Sequence, residues 1–503
     1  MSADIERESC DPKKSHFCRV LHHQGRVLLA SDLNEHGAIF QYYLRQFITD
    51  FAGKHWKTAG SFIINKIKIS ERNFTISKGH FYIDGILCDS EDDCWYSTPK
   101  SDGQGTVQPM FPTPEWEGLN SDDLTDGLTD GFAIYLECWE RHVNWIQYPA
   151  IKEAALGRPD NTSRMEIAWQ VRVLTPKLAE SYIATITKAL NNKILPLEDI
   201  SQINNKKDSF IALFDENNAV NDSPCEIVQA LLETLEVAEP KLRAWTTINS
   251  ANETNPCSIS PDAHYRGLKN QLYRVEIHKH GVVGDDPNTQ PTCKWSKENG
   301  SVIFRITPGS LNSNSKEHTL ELDNFGPDCR YDLCINDWVE LINDEIEFSQ
   351  KVLPLAKVTK IDSNSGKLTL TTTEKFDFSK CTYLRLWNQK EGLNEDGTID
   401  IKEGNEYIKK ETDDNNSMDK FFELEHGIKI QFQPGGNYHK GDYWLIPARV
   451  ASGDILWLKN DQDEPQFLPS NGIKRHRAAI GVYIDENTIK NCGCVPDITC
   501  KTE

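Results

Sequence analysis

Between Arg164 and Val173 the chain alternates residue by residue. Met165, Ile167, Trp169, Val171 and Val173 fall on one parity, and Arg164, Glu166, Gln170 and Arg172 on the other. A period of two sends successive side chains to opposite faces of an extended strand, so this segment predicts an antiparallel strand with one buried and one wet face. Leu272 to His278 repeats the pattern, with Tyr273, Val275 and Ile277 inward. Phe132 to Trp139 is apolar on both parities, as a central strand covered on both faces requires. Turn residues join such runs at Glu298-Asn299-Gly300, between Trp295 and the alternating Val302, Phe304 and Ile306. They recur at Ser363-Asn364-Ser365-Gly366, between Val358–Ile361 and Leu368–Thr371; both read as hairpins. The expected fold class is mainly β (α+β), with several antiparallel β domains, an N-terminal helix and a helical insertion.

The N-terminal helix follows a short extended apolar run, Gln24-Gly25-Arg26-Val27-Leu28-Leu29. Asp32 is placed to accept first-turn amides and Glu35 to reach back to the cap, with Asn34 between them. Phe40, Leu44, Phe47, Ile48 and Phe51 then recur at helical spacing. One face of this helix therefore needs cover, from its own domain or from a partner. A second helix is expected behind Ser223, with Pro224 at its first position, Glu226 in the first turn and Ile227, Leu231 and Leu235 as its stripe. The Asn-, Lys- and Asp-rich stretch from Asn191 to Asp208 reads as solvated loop within the insertion.

A chain of 503 residues exceeds one hydrophobic core. The divisions expected are a docking strand and helix over 1–60, a β domain over 61–175, and the helical insertion over 176–250. A β-rich segment over 251–336, a small barrel-like unit over 337–390 and a C-terminal β-rich segment over 391–503 follow. Ser101 to Asp130, with its duplicated Leu-Thr-Asp-Gly, and Glu391 to Asp419 read as polar linkers. No repeat of 20 to 50 residues points to a propeller or solenoid.

The formal net charge of −21 opposes phosphate backbones and anionic lipid, so nucleic acid is not an expected partner. No run approaches the roughly 18 apolar residues of a membrane span. With no basic or apolar leader in the first residues, cytoplasmic synthesis is expected, with the fourteen cysteines reduced and mostly buried.

Three groupings bear on chemistry. Glu137-Cys138-Trp139-Glu140-Arg141-His142 gathers carboxylates, a thiol and an imidazole. Same-face neighbours on a strand stand about 7 Å apart, however, too far for a direct thiol–imidazole hydrogen bond, and the segment reads as a central strand ending in a charged turn. Cys492, Cys494 and Cys500 could supply thiolates, but their spacing lacks the paired pattern of structural zinc sites. Leu156 to Arg164 reads as a polar turn fixed by Asp160 and Arg164. No catalytic residue, metal or cofactor is expected.

Phrases along nearly the whole chain resemble a family of domains of unknown function encoded with phage-tail-like contractile injection systems. They include Gln24-Gly25-Arg26-Val27 with Asp32-Leu33-Asn34-Glu35, Tyr135-Leu136-Glu137-Cys138-Trp139-Glu140-Arg141-His142-Val143, and Ala155-Leu156-Gly157-Arg158-Pro159-Asp160. Tyr265-Arg266-Gly267, Lys294-Trp295-Ser296-Lys297-Glu298-Asn299-Gly300 and Gly441-Asp442-Tyr443-Trp444-Leu445-Ile446-Pro447 continue the series. The N-terminal phrase is also similar to the openings of phage baseplate and tail-fibre proteins, where it anchors the chain. The resemblance implies a non-enzymatic structural component, held in several copies within an assembled injection particle and contacting tube, sheath, baseplate or cap proteins. The anchoring residues would be Gln24, Gly25, Arg26, Asp32, Asn34 and Glu35, with Phe40, Leu44, Phe47 and Phe51. The rival readings are a carbohydrate- or receptor-binding module using exposed Trp and Tyr, and a hydrolase or metal protein at the groupings above.

Overall fold

The computed structural model describes residues 12–68, 73–98, 105–112, 131–157, 160–191, 197–214, 223–235, 240–246, 265–282, 290–312, 316–323, 333–362, 365–390, 394–401, 421–433, 436–485 and 488–496. Strand predominates, in antiparallel sheets that bury several apolar cores.

A four-stranded sheet lies at the centre, in the order Thr488–Asn491, Arg475–Asp485, Phe132–Val143, Arg164–Leu174. Leu136 stands opposite Val171 on one side and Ala478 on the other, so the doubly apolar Phe132 segment is an inner strand, as its pattern required. Ile134, Leu136, Trp169, Val171 and Val173 meet two small three-stranded sheets drawn from residues 55–95. Ala133, Tyr135 and Leu174, on the other face, are covered by the helices Pro176–Asn191, Leu197–Ala212 and Pro224–Thr234.

Cover on both faces overturns the expected wet side. Gln170 and Arg172 are buried, while Met165 and Ile167, expected inward, are exposed. The buried polar groups are satisfied internally, which is the condition for their burial. Arg172 lies 3.0 Å from Glu137, and Gln170 Nε2 donates to the carbonyls of Met110 (2.5 Å) and Phe348 (3.3 Å).

The helical layer departs from expectation in two ways. The expected loop before Asp208 is largely the Leu197–Ala212 helix, because Ile203 and Phe210, seven apart, reach the core as one stripe. Cys225 in the last helix is disulfide-bonded to Cys492, 267 positions away, so the expectation of uniformly reduced thiols is corrected. Ser223 does stand at the cap with Pro224 behind it, though its side chain makes no capping hydrogen bond.

A second unit stacks a five-stranded sheet around Gln271–Lys279 and Tyr443–Arg449 on a four-stranded sheet around Ile428–Phe432 and Lys241–Thr246. Tyr273, Val275 and Ile277 face this core as expected, beside Trp295 and Trp444. Arg274, Glu276 and His278 on the opposite parity are buried too.

A third unit is a six-stranded sheet ordered Ile303–Arg305, Tyr383–Trp387, Trp338–Ile342, Ala356–Asp362, Lys367–Thr371, Glu317–Glu321. Its two ends meet where Ile306 bridges Leu322 and Thr307 N donates to the Glu321 carbonyl at 2.8 Å. The sheet thereby closes around Val339, Leu341, Val358, Leu370 and Leu384. The expected hairpin at 298–300 is a turn between strands of different sheets, since Thr292–Ser296 pairs with Gln271–Lys279 and Ile303–Arg305 with Tyr383–Trp387. Ala356–Asp362 and Lys367–Thr371 do pair across 363–366, of which Ser363 and Asn364 lie outside the described residues. The polar stretches contribute Val107, bridged to Trp95, and the short strand Ile399–Asp400; most of both, with Leu124 to Asp130, lies outside the described residues.

Candidate docking helix and the chamber beneath it

The N-terminal helix spans Ala30–Ala52, about 35 Å at 1.5 Å per residue. It begins two residues before the expected cap: Leu29 occupies that position, without a side-chain capping bond, and Asp32 falls within the first turn. An acidic side chain there still complements the helix dipole. Val27, Leu28 and Leu29, expected as a strand, form none and are exposed, and Gln24-Gly25 forms a turn.

The helix rests on the body by a polar edge. Arg45 Nη2 lies 2.8 Å and Gln41 Nε2 3.0 Å from Glu140 Oε1, at the end of the central strand. Burial raises the affinity of the Glu140 carboxyl for its proton, but the Arg45 and Gln41 donors outweigh it, and the group is held below the usual carboxylate range. Asp84-Gly85, the two-residue turn between the paired strands Gly79–Ile83 and Ile86–Ser90, forms the other support. Both residues have positive φ, 49° and 76°, as such tight hairpins require. A Cβ on Gly85 would stand 2.4 Å from the Arg45 carbonyl oxygen, so only glycine lets the turn approach the helix backbone this closely. Asp-Gly between apolar runs was a legible hairpin signal; its contact with a helix forty residues earlier was not.

The apolar stripe faces away from these supports. Phe40, Phe47 and Phe51 are each more than 60% exposed, and Leu33, Tyr43 and Leu44 are exposed beside them. At 100° per residue, positions 33, 40, 44, 47 and 51 cluster on one side, opposite the chamber-lining Ala38, Gln41, Arg45 and Thr49. Ile39 is the one residue of this helix that is fully buried. The structure therefore brings Phe40, Leu44, Phe47 and Phe51 into a single outward face. Gln24, Gly25 and Arg26 precede the helix, and Asp32, Asn34 and Glu35 belong to its first two turns.

Beneath the helix is a chamber of about 990 Å³, walled by strands and loops from all three units. Here the suspected catalytic grouping is dispersed. Glu137 is fully buried, with Arg172, Arg475 and Arg477 around it and Arg477 Nε at 2.8 Å. Burial alone would raise its proton affinity; the three guanidiniums reverse this and hold it ionised far below the usual range. Cys138 points into the opposite core, where a contact with Cys88 and burial push its thiol well up. Burial brings His142 down to about 3, leaving a neutral imidazole. Of these three, Glu137, Cys138 and His142, none is poised as an activated nucleophile or a general acid.

Cys492 is consumed by its disulfide and Cys494 is exposed, while Cys500 lies outside the described residues. Among the described residues no group of three His, Cys, Asp or Glu is arranged to hold a metal ion. Arg164 Nη1 donates to Thr162 Oγ1 and the Ser163 carbonyl, both at 3.0 Å, fixing the polar turn before its strand. Among the described residues no helix is long and apolar enough to cross a membrane.

The profile of a family of unknown function, DUF6519, matches residues 1–503. The chain belongs to this family. No curated protein matches this DUF6519 chain. A solved structure titled as that of TssK is similar over 74% of the DUF6519 chain and 96% of its own, at 8% identity and a TM-score of 0.15, a likeness too slight to carry fold or function across.

Proposed function

We propose that this chain is a non-enzymatic structural component of a phage-tail-like contractile injection particle, anchored to another particle protein through the outer face of its Ala30–Ala52 helix. The observation that carries the reading is the orientation of that helix: polar edge on the body, apolar stripe outward. A contiguous apolar stripe of several hundred Å² reaches the size that marks interaction surfaces on otherwise soluble folds. At about 25 cal/mol per Å², covering it would contribute several kcal/mol before ordering costs, and a preformed helix keeps those costs low. Repetition over several copies would make assembly effectively irreversible. The phrases shared with tail-associated proteins supply the assembly context.

The sugar-binding alternative, which needs exposed Trp and Tyr, draws less support: none of the eleven described Trp residues is exposed, and of the described tyrosines only Tyr43, on the helix stripe, and Tyr148 are. The hydrolase alternative meets a Glu137 locked in ion pairs.

The test is the double substitution Leu44→Asp with Phe47→Asp, expressed in the native host in place of the natural chain. Purified particles should lack the variant by immunoblot, because two carboxylates would enter an apolar contact, while circular dichroism of the isolated variant stays native. Normal incorporation of the folded variant would overturn the anchoring role. So would global unfolding, which would assign the stripe to the protein's own core.

A further inference from the structure

The chamber under the helix reverses the charge balance of the chain. Across the whole sequence 76 Asp and Glu outnumber 55 Lys and Arg; among the described residues lining the chamber, eight are Lys or Arg and five are Asp or Glu. Most of these charges are matched locally. Arg45 takes Glu140, Arg475 shares Glu137, Arg141 lies 2.8 Å from Glu166, and Arg274 lies 2.6 Å from Glu276. Glu276 and Glu340 also share the buried Lys294, at 3.3 and 2.6 Å.

What remains is a cationic excess on the wall. Arg385, on the Tyr383–Trp387 strand, keeps a buried Nε with no hydrogen-bond partner, and His142 across the chamber keeps a buried Nε2 in the same condition. Lys440 donates to the Lys351 carbonyl, a neutral acceptor. Burial pushes its ammonium down to about 8, against the carboxylates of Glu340, Glu276 and Glu347, which favour the charged form; burial also pushes the Glu347 carboxyl up and so weakens that one as a source of compensating charge. An unfilled guanidinium donor beside an ammonium is the complement of an oxyanion, and guanidinium pairs with carboxylate or phosphate oxygens with directional strength. The volume is that of a small-molecule site.

The geometry points to a binding site for a small carboxylate- or phosphate-bearing ligand in this chamber, with Arg385 and Lys440 as its anion-holding residues and the Ala30–Ala52 helix as its roof. Such a ligand would bridge the barrel unit, which carries Arg385, and the second unit, which carries Lys440, beneath the roof helix. This holds whether or not the outer helix face meets a particle protein.

The test is equilibrium dialysis of the full chain at physiological ionic strength, with labelled inorganic phosphate in one arm and labelled citrate in the other. One saturable site per chain is expected for at least one probe, and the preferred arm distinguishes a phosphate site from a carboxylate site. Lys440→Met and Arg385→Met should each weaken binding at least tenfold, whereas Lys375→Met, at an exposed position outside the chamber, should leave it unchanged. Should Arg385→Met fail to fold, Lys440→Met carries the comparison. Absence of saturable binding of both probes to the natural chain, or unaltered binding by folded Lys440→Met, would overturn the site.

Discussion

Arg45 and Glu140 meet at 2.8 Å, joining the N-terminal helix to the end of the innermost strand of the central sheet. The ion pair is partly exposed, so its own contribution is about 0.2–1 kcal/mol. Its consequence is orientation. With the polar edge seated on Glu140 and on the Asp84-Gly85 turn, the phenylalanines can only point outward.

The seating predicts a specific effect at Gly85. Gly85→Ala adds a Cβ 2.4 Å from the Arg45 carbonyl oxygen at a residue of φ 76°. The helix should be displaced while the sheet cores persist. Hydrogen exchange should accelerate along residues 38–52 and stay near native in the Phe132–Val143 strand; unchanged helix protection would mean the contact is not a support.

Glu137 is the counterpart of three guanidiniums inside the protein. Glu137→Gln keeps the shape and removes the charge, leaving Arg172, Arg475 and Arg477 without their shared carboxylate. A loss of about 3–5 kcal/mol in denaturant unfolding is expected, the usual cost of breaking a buried pair from one side. A loss below about 1 kcal/mol would show that solvent already compensates the arginines.

Stability should decline with acidification well above the carboxylate range. Burial lowers His278 to about 4 from 6.5, so the unfolded chain binds this proton more readily than the folded one. The contribution is fully present above pH 6.5 and is lost as pH falls toward 4; it is on the order of 3 kcal/mol. His142, lowered to about 3, acts in the same direction. Chemical denaturation at pH 7.5 and 5 should show the fall, and His278→Gln should flatten it. Equal slopes in both proteins would exclude His278 as the source.

The Cys225–Cys492 bond ties the helical layer to the segment following the last long strand. Non-reducing peptide mapping should recover the two peptides as one species. Cys492→Ser should lower stability by about 2–5 kcal/mol relative to the oxidised protein, with no difference once the natural chain is reduced. Recovery of free Cys225 and Cys492 from protein purified without reductant would refute the link.

The strand class of Phe132–Trp139 and the inward parity of Tyr273, Val275 and Ile277 were legible because apolar spacing alone decides them. The covering of both faces around Arg164–Val173 was not. Alternation equates polar with wet, yet Gln170 and Arg172 find partners on other segments, up to 178 positions away. Asp32 looked like a cap because its side chain suits one; the backbone became helical from Ala30, and cap chemistry alone could not hold the start two residues later. Of the candidate site, the existence of the phenylalanine stripe was readable. Its outward direction was not, because that depends on Glu140 and Gly85, which the chain supplies much later.

The closed six-stranded unit has a further consequence. With Ile306 bridging Leu322, the first and last strands of its order cap one another's backbone donors and acceptors, and the barrel has no bare margin there on which a neighbour could template itself. Copies crowded together can touch through side chains at this unit without knitting into a continuous fibril, so packing density and aggregation are uncoupled at this end of the molecule.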